Sequence, residues 1–316
     1  MSKKEITIGT RGSRLALWQA NHIKSALSEK DPSIFIKIKI IKTKGDKILD
    51  VPLAAVGGKG LFVKEIEEAL LDGRIDIAVH SMKDMPAEIP EGLCIGCVPE
   101  REDPGDVLIS KNDVPFSRLN RKARIGTSSL RRAAQLRHAR PDIAIVSLRG
   151  NIDTRIKKLD TENLDAVILA YAGVRRMNYE SRVSERFDYS VMLPAVGQGA
   201  LCIEIRENDS LIKPLAAMLD HEETHSVVKG ERAFLHRLEG SCQVPVAAVG
   251  KIAKNIFTIE GLVADLEGKT IIRDSCSGPA DDPEKTGVVL AEKLLDMGAG
   301  DILKNLTTGE RKSNER

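Results

Sequence analysis

Residues 125–141 read IGTSSLRRAAQLRHARP. The short apolar start, Ile125-Gly126, is followed by three hydroxyl residues, Thr127, Ser128 and Ser129, and then by a helix-forming stretch. This order predicts strand, turn, helix. The same grammar stands near the N-terminus, where Ile8-Gly9-Thr10-Arg11-Gly12-Ser13 follows a strand-like run and opens the helix-like RLALWQANHIKSAL. DIAVHS at 76–81 and DAVILA at 165–170 make a second matching pair. Two copies of a strand–helix–strand plan predict two α/β lobes, each built on a parallel sheet. Ligands of open α/β sheets bind beyond the carboxyl ends of the strands. The strand-end segments 9–13, 43–46, 80–84, 126–132 and 147–151 are therefore expected to face one cleft.

The remaining elements fill in this plan. FIKIKIIKT alternates apolar and basic residues and reads as a strand, and LFVKEIEEALLDG reads as an amphipathic helix closed by Gly73. GDKILDVPLAAVGGKG, between them, is a Gly-rich loop in which Gly57, Gly58 and Gly60 suggest a lid. In the first helix Leu15, Trp18, His22 and Ile23 fall near one face, which places Trp18 in the core. In the second lobe DIAIVSLRGN is a strand with a basic end, IDTRIKKLD a short helix and LDAVILAYAG a buried strand. From about residue 220 the pattern changes to a helix ending at Gly240, three strand-like runs with turn signals, and a closing helix over PEKTGVVLAEKLLDMGA. This part is expected to be a small α+β domain with an antiparallel sheet. The domain boundaries expected are 1–99 plus 200–219, 100–199 and 220–305, with 306–316 a polar, disordered tail.

Composition narrows the function classes. The chain has 316 residues, 42% hydrophobic and 30% charged, as in globular proteins of two or three domains. Lys plus Arg is 48 and Asp plus Glu is 46, a net charge of +2. The run 121–140, with six arginines, one lysine and one histidine, is thus a local concentration in a nearly neutral protein. It contains no aromatic residue, which argues against nucleic-acid binding by base stacking. No stretch approaches 18 consecutive apolar residues, so no membrane span is expected. The N-terminus lacks an apolar signal-peptide core, and the five cysteines are an odd number; free thiols in a reducing cytoplasm are expected.

The basic residues gather at helix starts, where cations are unfavourable unless an anion is bound. Arg11 beside Ser13, and Arg131 and Arg132 beside Thr127, Ser128 and Ser129, combine guanidinium forks, hydroxyls and open backbone N–H groups. Such a set suits carboxylate or phosphate. Arg149 and Arg155 flank the next helix start, and Arg175 and Arg176 follow AYAG. Arg137 and Arg140 read as a solvated basic face. HSMKDMP delivers Ser81, Lys83 and Asp84 from a strand end into a loop. A lone carboxylate among so many donors can stabilise a cation or move a proton. Cys242, in the turn LEGSCQVP, is a nucleophile or a small buried residue, and the residues alone do not decide between them. Cys94 and Cys97 in CIGC have no second pair, GGKG at 57–60 lacks the phosphate-loop pattern, and His80 reads as a core or supporting group, so no metal site is expected.

GTRGSRLALWQA, GGKGLFVKEIE, DIAVHSMKDMP, EREDPGDVLIS, IGTSSLRRAAQL, LRGNIDTR, LPAVGQGAL and LEGSCQVP, in this order from about residue 5 to 305, resemble the porphobilinogen deaminase (hydroxymethylbilane synthase) family. The resemblance implies a transferase that joins four porphobilinogens head to tail, releases ammonia each time, and frees a linear tetrapyrrole for haem and porphyrin synthesis. It implies a dipyrromethane cofactor held by a thioether, and the matching cysteine is Cys242. It implies catalysis by Asp84 with Lys83. The positions matching cofactor contacts are Ser13, Lys83, Asp84, Thr127, Ser128, Ser129, Arg131, Arg132, Arg149, Gly150, Arg155, Gln198 and Gly199. Those matching substrate contacts are Arg11, Phe62, Arg149, Arg155 and Arg176. The implied fold is two type II periplasmic-binding-protein-like lobes plus a third small α+β domain, with the chain returning to the first lobe after PAVGQGAL. A cytoplasmic monomer is implied. The acetate and propionate groups of each pyrrole would be the anions that the arginines await.

Two departures from the family pattern stand out: Ser241 replaces a glycine before the cysteine, and Ala55 replaces a lysine found in some members, leaving Lys59. The competing reading is a non-catalytic organic-anion-binding protein, which explains the arginines but gives no task to Asp84 or Cys242.

Overall fold

The structure, a computed structural model, describes residues 4–47, 60–238 and 244–313. The chain divides into two compact units, one formed by the described residues up to Glu102 together with Ala200–His225, the other by Asp103–Gly199 and the described residues from Ser226 onward. Elements are numbered along the chain.

The first unit carries β1 (Lys4–Thr10), α1 (Arg14–Lys30), β2 (Ile34–Ile40), the short α2 (Lys44–Lys47), α3 (Lys64–Leu71), β3 (Ile77–Ser81), β4 (Leu93–Cys97), β10 (Leu201–Arg206) and α7 (Ile212–Ala217). Its sheet runs β2-β1-β3-β10-β4. β1 lies parallel to β2 and β3, but β10 is antiparallel to both β3 and β4. The sheet is therefore mixed, not purely parallel, because the strand that brings the chain back is inserted inside it. Ile6 and Ile8 of β1, Ile77 and Val79 of β3 and Ile203 and Ile205 of β10 form a core with Ala20, Ile23 and Leu27 of α1.

The buried face of α1 is Ala16, Gln19, Ala20, Ile23 and Leu27. The expectation for Trp18 is thus corrected. It is 37% exposed and stacks on His22, ring centroids 5.1 Å apart. Gln19 takes an inward place because its amide donates to the Ser81 hydroxyl at 2.9 Å, a bond that apolar periodicity cannot reveal.

The second unit repeats the order. β5 (Asp106–Ser110), β6 (Arg124–Gly126), α4 (Leu130–Ala139), β7 (Ala144–Val146), α5 (Ile152–Thr161), β8 (Ala166–Ala170), α6 (Tyr171–Arg176) and β9 (Glu185–Arg186) give a sheet ordered β7-β6-β8-β5-β9. β5 is antiparallel to β8 and β9, as β10 is to its neighbours in the first unit. In both sheets the fourth position belongs to the strand that follows a crossing from the other unit. The two lobes thus share one strand order, as the repeat in the sequence implied. The repeated Ile-Gly-Thr has a steric reason. A Cβ on Gly9 would meet the Ile75 side chain, and one on Gly126 would lie 2.8 Å from Leu148 Cδ2.

After α8 (Glu222–Arg237), β11 (Val246–Ala253), β12 (Ile256–Ala264) and β13 (Ile271–Pro279) form an antiparallel sheet in chain order. Phe234 of α8 and Leu290 and Leu294 of α9 (Pro283–Leu294) pack on Phe257 and Ile259 of that sheet. The expected disordered tail differs: α10 runs Gly300–Ser313. Arg137 and Arg140 are not a solvated face. Arg137 donates to the Leu266 carbonyl at 2.5 Å, and Arg140 pairs with Asp142 at 2.7 Å and donates to the carbonyls of Phe116 and Leu119.

Candidate functional site

In the first unit Ser13 caps α1, its hydroxyl accepting from the Ala16 N–H at 3.3 Å. β3 ends at Ser81 and passes into a single 3₁₀ turn, Met82–Asp84. The turn is held from both ends: Met82 N–H donates to the Ala200 carbonyl at 3.0 Å and Met85 N–H to the Met82 carbonyl at 3.1 Å. Asp84 is thereby delivered to a pocket that Arg11, Ser13, Gln19, Phe62, His80 and Ser81 also line. Lys83, in the same turn, is half-buried. The Arg11 guanidinium sits 4.2 Å from the centroid of the Phe62 ring, an arrangement that holds the cation by the ring's quadrupole. The sequence reading named Arg11, Ser13, Phe62, Ser81 and Asp84, and the structure brings all five to one pocket. It missed Gln19.

In the second unit the helix starts are capped by side chains. Ser129 accepts from the Arg132 N–H at 3.4 Å, and Asn151 from the Thr154 N–H at 2.8 Å. Thr127 is buried and its hydroxyl accepts from the Ser129 N–H, while Ser128 donates to the Leu148 carbonyl at 2.8 Å and accepts from the Leu148 N–H at 3.0 Å. Arg149 and Arg155 are half-buried beside the start of α5, and the Arg155 Nε donates to the Gly150 carbonyl at 2.8 Å. Gly150 has φ of 116°, a left-handed conformation that suits glycine. Arg176 donates to the Gly199 carbonyl at 2.7 Å.

Arg131 and Arg132 stand differently from the expectation. Both are buried, and both reach Asp106: Arg131 Nη1 to Oδ2 at 2.7 Å, Arg132 Nη2 to Oδ1 at 2.7 Å. Arg131 also donates to the Leu193 carbonyl and Arg132 to the Ile168 carbonyl. Gln198 donates to the same Asp106 Oδ1 at 2.9 Å and to the Pro104 carbonyl at 2.6 Å. Burial alone would push the Asp106 carboxyl up, but the two guanidinium groups outweigh it and hold it well below the usual carboxylate range. An anion for these arginines is therefore already part of the chain. One carboxylate against two guanidinium groups leaves the cluster with an excess positive charge. Asp106 was not singled out in the sequence, because DPGDV carries no periodic or spacing signal that ties it to residues twenty-five positions onward.

Among the described residues no cluster of three metal-ligating side chains is present. Burial pushes the Cys97 thiol far up, and Cys94 upward as well, so both stay protonated as ordinary interior thiols. Cys242, Ser241, Gly240, Ala55, Lys59, Gly57 and Gly58 lie outside the described residues.

Comparison with known proteins decides the family. Residues 6–214 match the description "Porphobilinogen deaminase, dipyromethane cofactor binding domain", and residues 226–296 match "Porphobilinogen deaminase, C-terminal domain". The chain belongs to the porphobilinogen deaminase family. The porphobilinogen deaminase of Geobacter metallireducens is 55% identical over 303 residues, 96% of this chain and 95% of that protein. That of Pelobacter propionicus is 53% identical over 306 residues, covering 97% of this chain and 98% of that protein, and that of Carboxydothermus hydrogenoformans is 50% identical over 313 residues, covering 99% and 100%. Among solved structures the chain is similar to a YaeC-family lipoprotein from Enterococcus faecalis, at 14% identity and a TM-score of 0.42, covering 72% of this chain and 97% of that one. Porphobilinogen deaminase relatives of this similarity span both unit-forming regions and the C-terminal sheet.

Proposed function

We propose that the chain polymerises porphobilinogen into the linear tetrapyrrole hydroxymethylbilane, releasing ammonia at each addition. The observation that carries this reading is Asp84, placed by the Met82–Asp84 turn in a pocket shared with the Arg11–Phe62 pair. The substrate is a pyrrole bearing two carboxylates and an aminomethyl group. Arg11 takes a carboxylate, and Phe62 holds that guanidinium and offers an apolar edge to the ring. When ammonia leaves the aminomethyl carbon, the C–N electron pair departs with nitrogen and the substrate ring is left cationic. The Asp84 carboxylate stabilises that cation and accepts proton density from the pyrrole N–H. Without a carboxylate, a cation would form beside guanidinium and ammonium groups, Arg11 and Lys83, at high cost.

The donor set of the second unit fits a polycarboxylate. Arg149, Arg155 and Arg176, the hydroxyls of Ser128 and Ser129, and the Asn151-capped start of α5 are charge-assisted donors in number. A dipyrromethane group attached at Cys242 would supply the nucleophilic α-carbon on which growth starts. Ser13, Lys83, Asp84, Thr127, Ser128, Ser129, Arg149, Gly150, Arg155, Gln198 and Gly199 are the residues we assign to holding it. Arg131 and Arg132 hold it through their excess charge, positioned by Asp106. Residues 220–305 serve as the domain that carries Cys242. Net charge near zero and the scarcity of aromatic residues favour a small-molecule partner over nucleic acid, and a cytoplasmic monomer suits such a reaction. No helix among the described residues is long and apolar enough to cross a membrane.

The direct test is turnover: purified protein with porphobilinogen should release ammonia and form hydroxymethylbilane. Binding of porphobilinogen without release of ammonia would leave the anion-binding alternative in its place.

A further inference from the structure

Beside the Asp84 pocket, which His80 lines, the first unit buries three ionisable side chains that the proposed reaction does not use. Glu204 of β10 is 0% exposed, His80 of β3 5% and Glu67 of α3 7%. His80 Nε2 and Glu204 Oε2 are 3.1 Å apart, so a proton lies between them. The other oxygen of Glu204 and Oε1 of Glu67 are both buried without a hydrogen-bond partner. Ionising both of two neighbouring buried carboxyl groups is costly, which favours a proton on one of them. Burial and the nearby Glu204 charge push the Glu67 carboxyl up to about 7.

The placement gives this cluster a task. His80 directly precedes Ser81 and the Met82–Asp84 turn. β3 at this end pairs with β10 through Cys202 opposite His80 and Leu201 opposite Ser81. The side-chain bond from His80 to Glu204 therefore ties the strand end that delivers Asp84 to the strand beside it.

We propose that His80 is a positioning residue for Asp84, locked to Glu204 and backed by Glu67, and that the lock holds while Glu67 is neutral. Its catalytic consequence rests on the function proposed above; its structural part does not. The groups facing Glu67 are His80 from β3, Glu204 from β10, and Lys64 and Glu68 from its own helix. Cys94 of β4 feels the same Glu204, and Arg206 of β10 donates to the Leu70 carbonyl at the end of α3. Of β1, Glu5 is exposed and pairs with Lys37. Loss of the Glu67 proton places a second negative charge in this buried set, where it repels Glu204 and competes with it for His80. The lock loosens as pH rises through neutrality.

The test uses the full-length protein, its Glu67→Gln variant, which stays neutral at every pH, and His80→Asn. Amide hydrogen exchange of the segment 77–86 is followed at pH 6.5 and 8.5, beside kcat and KM for porphobilinogen. Wild type and Glu67→Gln should exchange alike at pH 6.5, whereas at pH 8.5 the wild type should exchange at least threefold faster. His80→Asn should exchange about tenfold faster at both. In turnover, the alkaline fall in kcat near pH 7 should be absent from Glu67→Gln while KM is unchanged. Superimposable exchange in the two proteins at both pH values would overturn the proposal, as would identical kcat profiles. A wild type that shows the predicted exchange but does not consume porphobilinogen would overturn the function and leave the lock standing.

Discussion

Arg131 Nη1 lies 2.7 Å from Asp106 Oδ2, with both side chains removed from solvent. Arg132 occupies the other oxygen, so a fully buried carboxylate is held by two guanidinium groups at the start of α4. Removing one partner of such a cluster leaves uncompensated charge in the interior, which costs about 3–5 kcal/mol. Asp106→Asn should lose stability of that order in urea unfolding at pH 7. The Asp106 carboxyl is held below its ordinary range, so its contribution is present above that range and is lost as pH falls through and beneath it. The gap between wild type and Asp106→Asn should stay constant from pH 7 to about 5 and narrow only on further acidification.

Asp84 is the one pocket carboxylate in the proposed mechanism. Asp84→Asn keeps the shape of the group and removes its charge. Turnover should fall by about 10²–10³, the usual effect of deleting one electrostatic stabiliser. The melting temperature should be unchanged, since Asp84 is half-buried on a surface turn. Steady-state kinetics with porphobilinogen, read beside a thermal melt, checks both.

The Arg11–Phe62 pair predicts a different kinetic signature. A charge-assisted hydrogen bond contributes about 1.5–3 kcal/mol, so Arg11→Gln should raise KM by about tenfold or more. Phe62→Ala removes only the support of the cation and should raise KM less, by about threefold, in keeping with about 0.5–1 kcal/mol for an exposed cation–π contact. A larger effect from Phe62→Ala than from Arg11→Gln would show that the ring, not the charge, holds the substrate.

Gly126 tests the packing logic of the repeated turn. A Cβ there would come 2.8 Å from Leu148 Cδ2. Gly126→Ala should destabilise by about 1–3 kcal/mol through overpacking. Because the affected strand leads into Thr127, Ser128 and Ser129, affinity for the pyrrole chain should fall with it. Chemical denaturation measures the first effect and substrate titration the second.

Much of the fold was legible because both lobes use local signals. The helices opened by Ser13 and Ser129 start where the strand–turn–helix reading put them, and the Ile-Gly-Thr turns recur for a steric reason. Long-range pairing was not legible. Nothing in the runs Leu201–Arg206 or Asp106–Ser110 says that each enters a sheet antiparallel, since a strand's direction depends on where the chain arrives from. Gln19, Asp106 and Glu204 share another cause. Each is a buried polar residue whose partner is far away in sequence, so apolar periodicity reads it as a surface position. Trp18 is the converse, an aromatic that finds His22 on the outside of α1. The tail was judged by its polarity, yet α10 continues to Ser313.

The central claim is most directly tested by the intact mass of the purified protein beside its Cys242→Ser variant. The account predicts a mass above that of the sequence by two linked pyrrole units, absent from the variant, with stepwise gains when porphobilinogen is added to the wild type. A wild-type mass equal to that of the sequence, unchanged after incubation with porphobilinogen, would contradict it.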